Sequence, residues 1–134
     1  MKVKRSLFSA LLVIVLCMSL TVTAFAASNA AFAGIYGTIS GTSNQSGSAM
    51  AVSTSITTNP DKAYLQVTTT YTDGGNYSSS ITRKSGTDVT SFSTSYAIAV
   101  DVVYTPTKAN TTHLVMGGVN GAAYVTTTSV NLNT

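Results

Sequence analysis

Residues 63–72 read AYLQVTTTYT, and this stretch carries the clearest folding signal in the chain. Apolar or bulky residues at the odd positions alternate with more polar residues at the even positions. Because successive side chains of a β-strand point to opposite faces, a period of two predicts a strand with one buried face. The DGGN that follows at residues 73–76 supplies the glycines that a tight hairpin turn requires. We therefore expect a strand and then a reversal of the chain.

The same period recurs elsewhere, between short turns rich in Gly, Asn, Asp and Pro. We predict strands over residues 34–41, 49–57, 63–72, 77–84, 89–104, 113–116 and 122–132. Residues 42–48 are predicted to be a loop. The 89–104 stretch is too long for one ordinary strand, so we expect a bend near residues 93–95. The mostly polar 77–84 strand is expected at a sheet edge, where its two basic residues discourage pairing with another chain.

Helix signals are almost absent from the rest of the chain. Ser and Thr make up 36 of the 108 residues that follow residue 26, and there is no Glu. Thr, Val, Ile and Tyr favour pleated backbone, whereas Ser, Asn and Gly favour turns. Seven or eight short strands, each with one apolar face, predict a small antiparallel β-sandwich, with a closed β-barrel as the alternative. The length suits a single all-β domain over residues 27–134.

The first 26 residues have the features of a secretory signal peptide. Basic residues lie within the first five positions, an apolar run covers residues 7–22, and AFA at residues 24–26 offers a signal-peptidase site. We predict that residues 1–26 are removed, that the mature chain begins near Ala27, and that a bacterium secretes it. No other stretch approaches the roughly 20 apolar residues needed to span a bilayer, so no stable membrane insertion is expected after cleavage.

Removing this leader changes what the charge implies. The whole chain has a formal net charge of +3. The predicted mature chain is neutral, with Lys62, Arg83, Lys84, Lys108, Asp61, Asp73, Asp88 and Asp101 as its charged residues. A neutral chain lacks the basic patch that nucleic acid requires, so no nucleic-acid partner is expected. The one cysteine, Cys17, lies in the leader, which leaves no disulfide or thiolate metal site. We predict no metal and no other cofactor.

The inventory of catalytic groups favours a protein that is not an enzyme. His113 is the single histidine, and a general base or a metal ligand needs partners that the sequence does not place beside it. We expect His113 to be a polar residue at the start of a short strand. No Gly-x-Ser-x-Gly motif is present. The four Asp residues mostly lie in predicted turns, so no carboxylate pair for glycoside hydrolysis is recognisable.

Threonines recur at every second position in two of the predicted strands. Thr68, Thr70 and Thr72 form one such line, and Thr126 and Thr128 form another. Pairing of threonines across neighbouring strands stabilises a sheet and accounts for this pattern.

Exposed tyrosines are the most tangible sign of a binding surface. Tyr36 and Tyr64 fall on the strand faces that we predict to point outward. Aromatic rings on a polar sheet can stack on sugar rings or anchor a partner protein. We predict a binding site formed by Tyr36, Tyr64, Gln66 and Tyr77. The expected function is non-enzymatic binding outside the cell, with cell-wall glycan or a protein surface as the target.

Two other functions are compatible with the sequence. A secreted bacteriocin-like antibacterial or toxin polypeptide can have the same small, cysteine-free β architecture, although no motif of this chain supports that class. The third possibility is a structural protein that assembles through the edges of its sheets.

Overall fold

The structure is a computed structural model that describes residues 26–75, 77–98, 100 and 104–133. These residues form a 3-10 turn (Gly34–Tyr36) and eight strands: β1 (Ala26–Phe32), β2 (Thr38–Ser46), β3 (Ala49–Ile56), β4 (Tyr64–Thr72), β5 (Ser78–Thr87), β6 (Ser91–Ala97), β7 (Lys108–Met116) and β8 (Tyr124–Asn131). The predicted leader lies outside the described residues, except that Ala26 begins β1. No helix in the described part of the chain could cross a membrane.

The strands form two four-stranded antiparallel sheets. The first sheet has the order β1-β2-β3-β6, and the second has the order β5-β4-β7-β8. Strands β1 and β2 contact β8, and β3 contacts β4, so the sheets pack face to face. The all-β prediction is confirmed. The sheets do not close into a barrel, so the alternative architecture is wrong.

Strand β4 follows its prediction most closely. The predicted strand covers residues 63–72, and the observed strand is Tyr64–Thr72. Its odd positions are buried, and its even positions are partly exposed on the outer face of the second sheet. Strand β5 returns beside it after Gly74, whose φ of 82° only glycine adopts easily. Strand β5 lies at a sheet edge, as predicted.

The predicted strand over residues 34–41 is wrong in its first half. Gly34 and Gly37 have φ angles of 53° and 78°, which interrupt an extended backbone. The chain therefore turns at Gly34–Tyr36, and β2 starts at Thr38. Strand β2 then continues to Ser46, through the predicted loop at residues 42–48. Small inward-facing residues permit this, because they leave room for bulkier side chains of the opposite sheet.

The largest of the other differences from the predictions concern three strands. Strand β1 was not predicted, because AASNAAF has little β preference; it pairs with β2 along its whole length. Strand β6 ends at Ala97, and residues 99 and 101–103 of the predicted long strand lie outside the described residues. Strand β7 starts at Lys108 instead of residue 113, although its first residues are polar. Ala109 and Thr111 are buried there, so burial alternates along the strand although the buried positions are not marked by large apolar residues.

A polar layer divides the core into two hydrophobic clusters. One cluster includes Met50, Val67 and Tyr96, and the other includes Ile39 and Leu65. Between them, hydroxyls and one imidazole form a hydrogen-bonded chain across the two sheets. The chain runs from Thr54 to His113 (2.7 Å), from His113 to Thr128 (2.9 Å) and from Thr128 to Ser43 (2.6 Å). Buried polar groups are tolerated when they are paired in this way.

His113 lies at the centre of this layer and is fully buried. The expectation that it begins a short strand is wrong, because it lies within β7 and points between the sheets. Gly41 faces it so closely that a Cβ there would lie 2.3 Å from the imidazole Cδ2. Burial lowers the pKa of His113 from 6.5 to about 4.

Candidate binding face

Four threonines lie side by side on the outer face of the second sheet. Thr68 of β4 pairs with Thr82 of β5 and with Thr112 of β7, and Thr112 pairs with Thr127 of β8. Each strand of the sheet thus contributes one threonine to a single row. Neighbouring strands are about 4.8 Å apart, so the four residues follow one another at about that interval across the sheet.

A second polar row runs parallel to the first. Thr70 of β4 pairs with Ser80 of β5 and Asn110 of β7, and Asn110 pairs with Ser129 of β8. Two residues along a strand separate the rows by roughly 7 Å. We call these eight side chains the hydroxyl face. Its members are Thr68, Thr70, Ser80, Thr82, Asn110, Thr112, Thr127 and Ser129.

Hydrogen bonds between neighbouring strands hold several of these side chains in place. The hydroxyls of Thr68 and Thr82 are 2.9 Å apart, and those of Thr70 and Ser80 are 2.8 Å apart. Ser129 Oγ donates to Asn110 Oδ1 over 2.8 Å. A hydroxyl has one donor and two acceptor positions, so each retains hydrogen-bonding capacity toward solvent. The rows are therefore ordered and still able to bind.

An apolar group adjoins the hydroxyl face at one end of β4. Leu114 lies between Gln66 and Val125 in the register, and Tyr64 pairs with Met116. Val125 is 50% exposed. We call Tyr64, Leu114, Met116 and Val125 the apolar end.

The ring of Tyr64 is held in one orientation. It lies against the backbone of Gly117, where a Cβ would be 2.3 Å from the ring Cε1. Lys84 Nζ lies 5.5 Å from the ring centroid, within cation–π distance. Tyr64 is half-buried, so part of the ring remains available on the outer surface.

The charges of the second sheet are all positive. Arg83 and Lys84 lie on β5 and Lys108 lies on β7, and the described strands of this sheet contain no carboxylate. Lys84 and Lys108 point outward at opposite ends of the face, because they pair with Gln66 and Thr72. A neutral or weakly anionic polar partner meets no repulsion on this surface.

The structure brings together two of the four predicted site residues. Tyr64 and Gln66 share the outer face of β4, and Gln66 pairs with Lys84. Tyr77 is 57% exposed and packs against Tyr104, with the ring centroids 5.5 Å apart. It precedes Ser78, which pairs with Thr72 at the far end of β4. At about 3.3 Å per residue, roughly 25 Å separates the two ends, so Tyr77 is not part of the apolar end.

Tyr36 is fully buried, so the expectation that it faces outward is wrong. The turn at Gly34–Tyr36 directs its side chain into the core, where it packs edge to face with Tyr124. Its hydroxyl donates to Asp61 Oδ2 over 2.9 Å. Burial, and then the bond to Asp61, raise the pKa of Tyr36 to about 12. Tyr36 is therefore a core residue whose side chain is not exposed on the outer surface.

Most of the hydroxyl face could not be predicted from the sequence. Thr82, Thr112 and Thr127 lie on three different strands, and only the pairing register places them beside Thr68. In the sequence, only the alternation of threonines in β4 indicated this arrangement. Within the described residues, no group of three or more His, Cys, Asp or Glu side chains could hold a metal ion.

The outer face of the first sheet offers a different surface. It has an open depression of about 460 Å³ between β2, β3 and β6, whose outward-facing lining includes Thr42, Ala51, Ser53 and Ser93. Among the residues that the structure describes, no aromatic or charged side chain lines it. This face is the natural place for control substitutions.

Comparison of the chain with protein-family models, curated proteins and solved structures finds no match. Function is therefore inferred from the chemistry of the outer faces.

Proposed function

We propose that the protein is secreted after cleavage near Ala27 and binds cell-wall glycan, without catalysis, through the hydroxyl face and the apolar end. One observation carries the proposal: two rows of hydroxyl and amide side chains cross all four strands of one sheet. Polysaccharides present many hydroxyls that both donate and accept. A flat array of the same groups is complementary to them.

The energetics of such a face depend on many weak contacts. A single hydrogen bond exchanged with water contributes only about 0.5–1.5 kcal/mol. Eight side chains in fixed rows allow several bonds to form together. Ser and Thr are short, and part of the face is already ordered by bonds such as Thr68 to Thr82. Binding therefore loses less side-chain entropy than it would with long flexible residues.

The apolar end supplies the second element of glycan recognition. The C–H face of a sugar ring can pack against an aromatic ring, and Tyr64 is the aromatic residue beside the hydroxyl face. Its contact with Gly117 fixes the ring before a ligand arrives. Gln66 and Lys84, next to the ring in the register, add polar groups for the sugar hydroxyls. This arrangement supports Tyr64 and Gln66 as contact residues.

The test is the fraction of protein that sediments with intact Gram-positive cells over a concentration series. The full chain is expressed in a secreting bacterial host. Two variants probe the face, Tyr64→Ala and the double variant Thr68→Val/Thr112→Val. Thr42→Val removes an exposed hydroxyl from the opposite sheet and serves as the control. We expect each face variant to lose about 1–2 kcal/mol of binding, or roughly five- to thirtyfold in affinity.

Soluble glycan fragments added to the same mixture separate the two kinds of target. Displacement by glycan supports the proposal. Saturable binding that glycan does not displace indicates a protein on the cell surface and overturns the glycan assignment. No binding to any cells, or equal binding by the wild type and both face variants, overturns the assignment of this face.

A further inference from the structure

Strand β6 forms an edge of the first sheet that lacks the usual protection. Within the described part of the chain it pairs with β3 alone, and β5 contacts it without pairing. The opposite edge, β1, is covered by β8, and Asn29 Nδ2 donates to the Thr127 carbonyl oxygen over 3.1 Å. Strand β5 carries Arg83 and Lys84. Strand β6 reads SFSTSYA, with neither a charge nor a proline to discourage another strand.

The hydrogen bonds to β3 show which backbone groups of β6 face outward. Ile56 N donates to the Thr90 carbonyl oxygen over 2.9 Å, and Ile98 N donates to the Ser48 carbonyl oxygen over 2.8 Å. In an antiparallel pair, alternate residues direct both backbone groups to the same side. The even-numbered residues of β6 therefore bond to β3. The odd-numbered residues, Ser91 to Ala97, direct their N–H and C=O groups to the open edge.

The sequence of this edge is complementary to itself. About Thr94 the strand is nearly palindromic, so a second copy running antiparallel places Ser93 opposite Ser95 and Phe92 opposite Tyr96. In this register the odd residues face one another as hydrogen-bonded pairs. Four such pairs satisfy about eight backbone hydrogen bonds. The free backbone groups and the side-chain pattern thus agree on one register.

We propose that two copies of the protein associate by antiparallel pairing of their β6 strands. The two first sheets then form one continuous eight-stranded sheet. The contact is isologous, because each copy contributes the same strand about a two-fold axis at Thr94. In this register each side chain of β6 lies opposite a similar side chain of the other strand, which favours a second copy of this chain as the occupant.

The dimer does not depend on the proposed function, but its consequence for glycan binding rests on that function. The two-fold axis is perpendicular to the sheet, so both hydroxyl faces are directed to the same side. An extended glycan surface can then contact both copies, which raises the apparent affinity without any new contact.

Analytical ultracentrifugation of the secreted full-chain product, without glycan, tests the dimer. We expect a concentration-dependent monomer–dimer equilibrium. In Ser93→Lys/Ser95→Lys each lysine faces a lysine of the other copy, so this variant is expected to be monomeric. Ser28→Lys/Ala30→Lys puts the same charges on β1 and is expected to dimerise like the wild type. A wild type that stays monomeric at its highest soluble concentration overturns the proposal, as does an unchanged equilibrium in the β6 variant.

Disulfide trapping tests the register without depending on charged variants. Thr94 lies on the two-fold axis in a non-hydrogen-bonded pair, where Cα atoms are about 4.5 Å apart, within the range of a disulfide. Once the leader is removed, the chain has no cysteine. Thr94→Cys is expected to form a covalent dimer under mild oxidation, and Ser28→Cys is not. Absence of the Thr94→Cys dimer, or equal cross-linking of both variants, overturns the register.

Discussion

Acid is expected to destabilise the protein through His113. The imidazole is fully buried, and both ring nitrogens bond to threonine hydroxyls. The residues packed around it are Gly41 of β2, Thr54 of β3, Val67 of β4 and Thr128 of β8, none of which is charged. Among the described residues, these neighbours offer no negative group to compensate a proton on the buried ring.

The magnitude follows from the pKa. Burial lowers the pKa of His113 in the folded chain from 6.5 to about 4. At about 1.36 kcal/mol per pH unit, the difference between 6.5 and about 4 is equivalent to about 3 kcal/mol. Between these values the unfolded chain binds a proton that the folded chain does not. The stability is thus fully present above pH 6.5, falls as the pH drops toward 4, and then levels off.

Two measurements check this linkage. Urea denaturation from pH 7 down to pH 4 should show a loss of about 3 kcal/mol in the free energy of unfolding from this group. His113→Gln removes the titration, so the difference in slope between the two proteins isolates the histidine from the aspartates. Because His113 is the single histidine, its Hε1 proton gives one NMR resonance, and the pH dependence of that chemical shift reports the folded pKa directly. A folded pKa near 6.5, or equal pH slopes for the two proteins, refutes the reasoning.

Three further predictions concern packing, the Tyr36 contact and processing. Gly41→Ala should lower the free energy of unfolding by about 1–3 kcal/mol in urea denaturation, because the added Cβ meets the His113 ring. Gly86→Ala is the control and should be nearly neutral, because the space around Gly86 is open. Equal effects of the two substitutions contradict the packing of Gly41 against His113. Tyr36→Phe should cost about 1–3 kcal/mol by leaving the Asp61 carboxylate without its donor, and an unchanged unfolding midpoint argues against that bond. The protein recovered from the medium should have the mass of residues 27–134, and the mass of the intact chain contradicts cleavage.

Periodicity was enough to predict the fold class. Strand β4 and its hairpin to β5 were predicted nearly to the residue, because alternation and turn glycines are local signals. The edge position of β5 also followed from its polarity. These features depend on residues that are neighbours in the chain.

The errors have a common physical cause, which is that tertiary packing overrides local preference. The strand β1 has a sequence with little β preference and forms because β2 pairs with it. Tyr36 follows the period of an outward residue, but the positive φ angles at Gly34 and Gly37 turn it into the core. The burial of His113 was not predicted, because nothing in its local sequence indicates the threonines of β3 and β8 that bond to its ring.

Only part of the candidate face could be predicted from the sequence, for the same reason. The even positions of β4, with Tyr64 and Gln66 among them, were predicted to point outward and do so. The rows across the sheet depend on the registers of three strand pairs, which the sequence does not encode locally. Tyr77 is exposed but lies at the far end of β4, a separation that only the hairpin geometry reveals.

The measurement that tests the binding proposal most directly is an NMR titration of the labelled protein with soluble cell-wall glycan fragments. We expect saturable chemical-shift changes of backbone amides in β4, β5, β7 and β8, concentrated around the hydroxyl face and Tyr64. Amides around Thr42 and Ser53 on the first sheet should remain unchanged. Shifts confined to the first sheet, or no shifts at the highest glycan concentration, contradict glycan binding at the hydroxyl face.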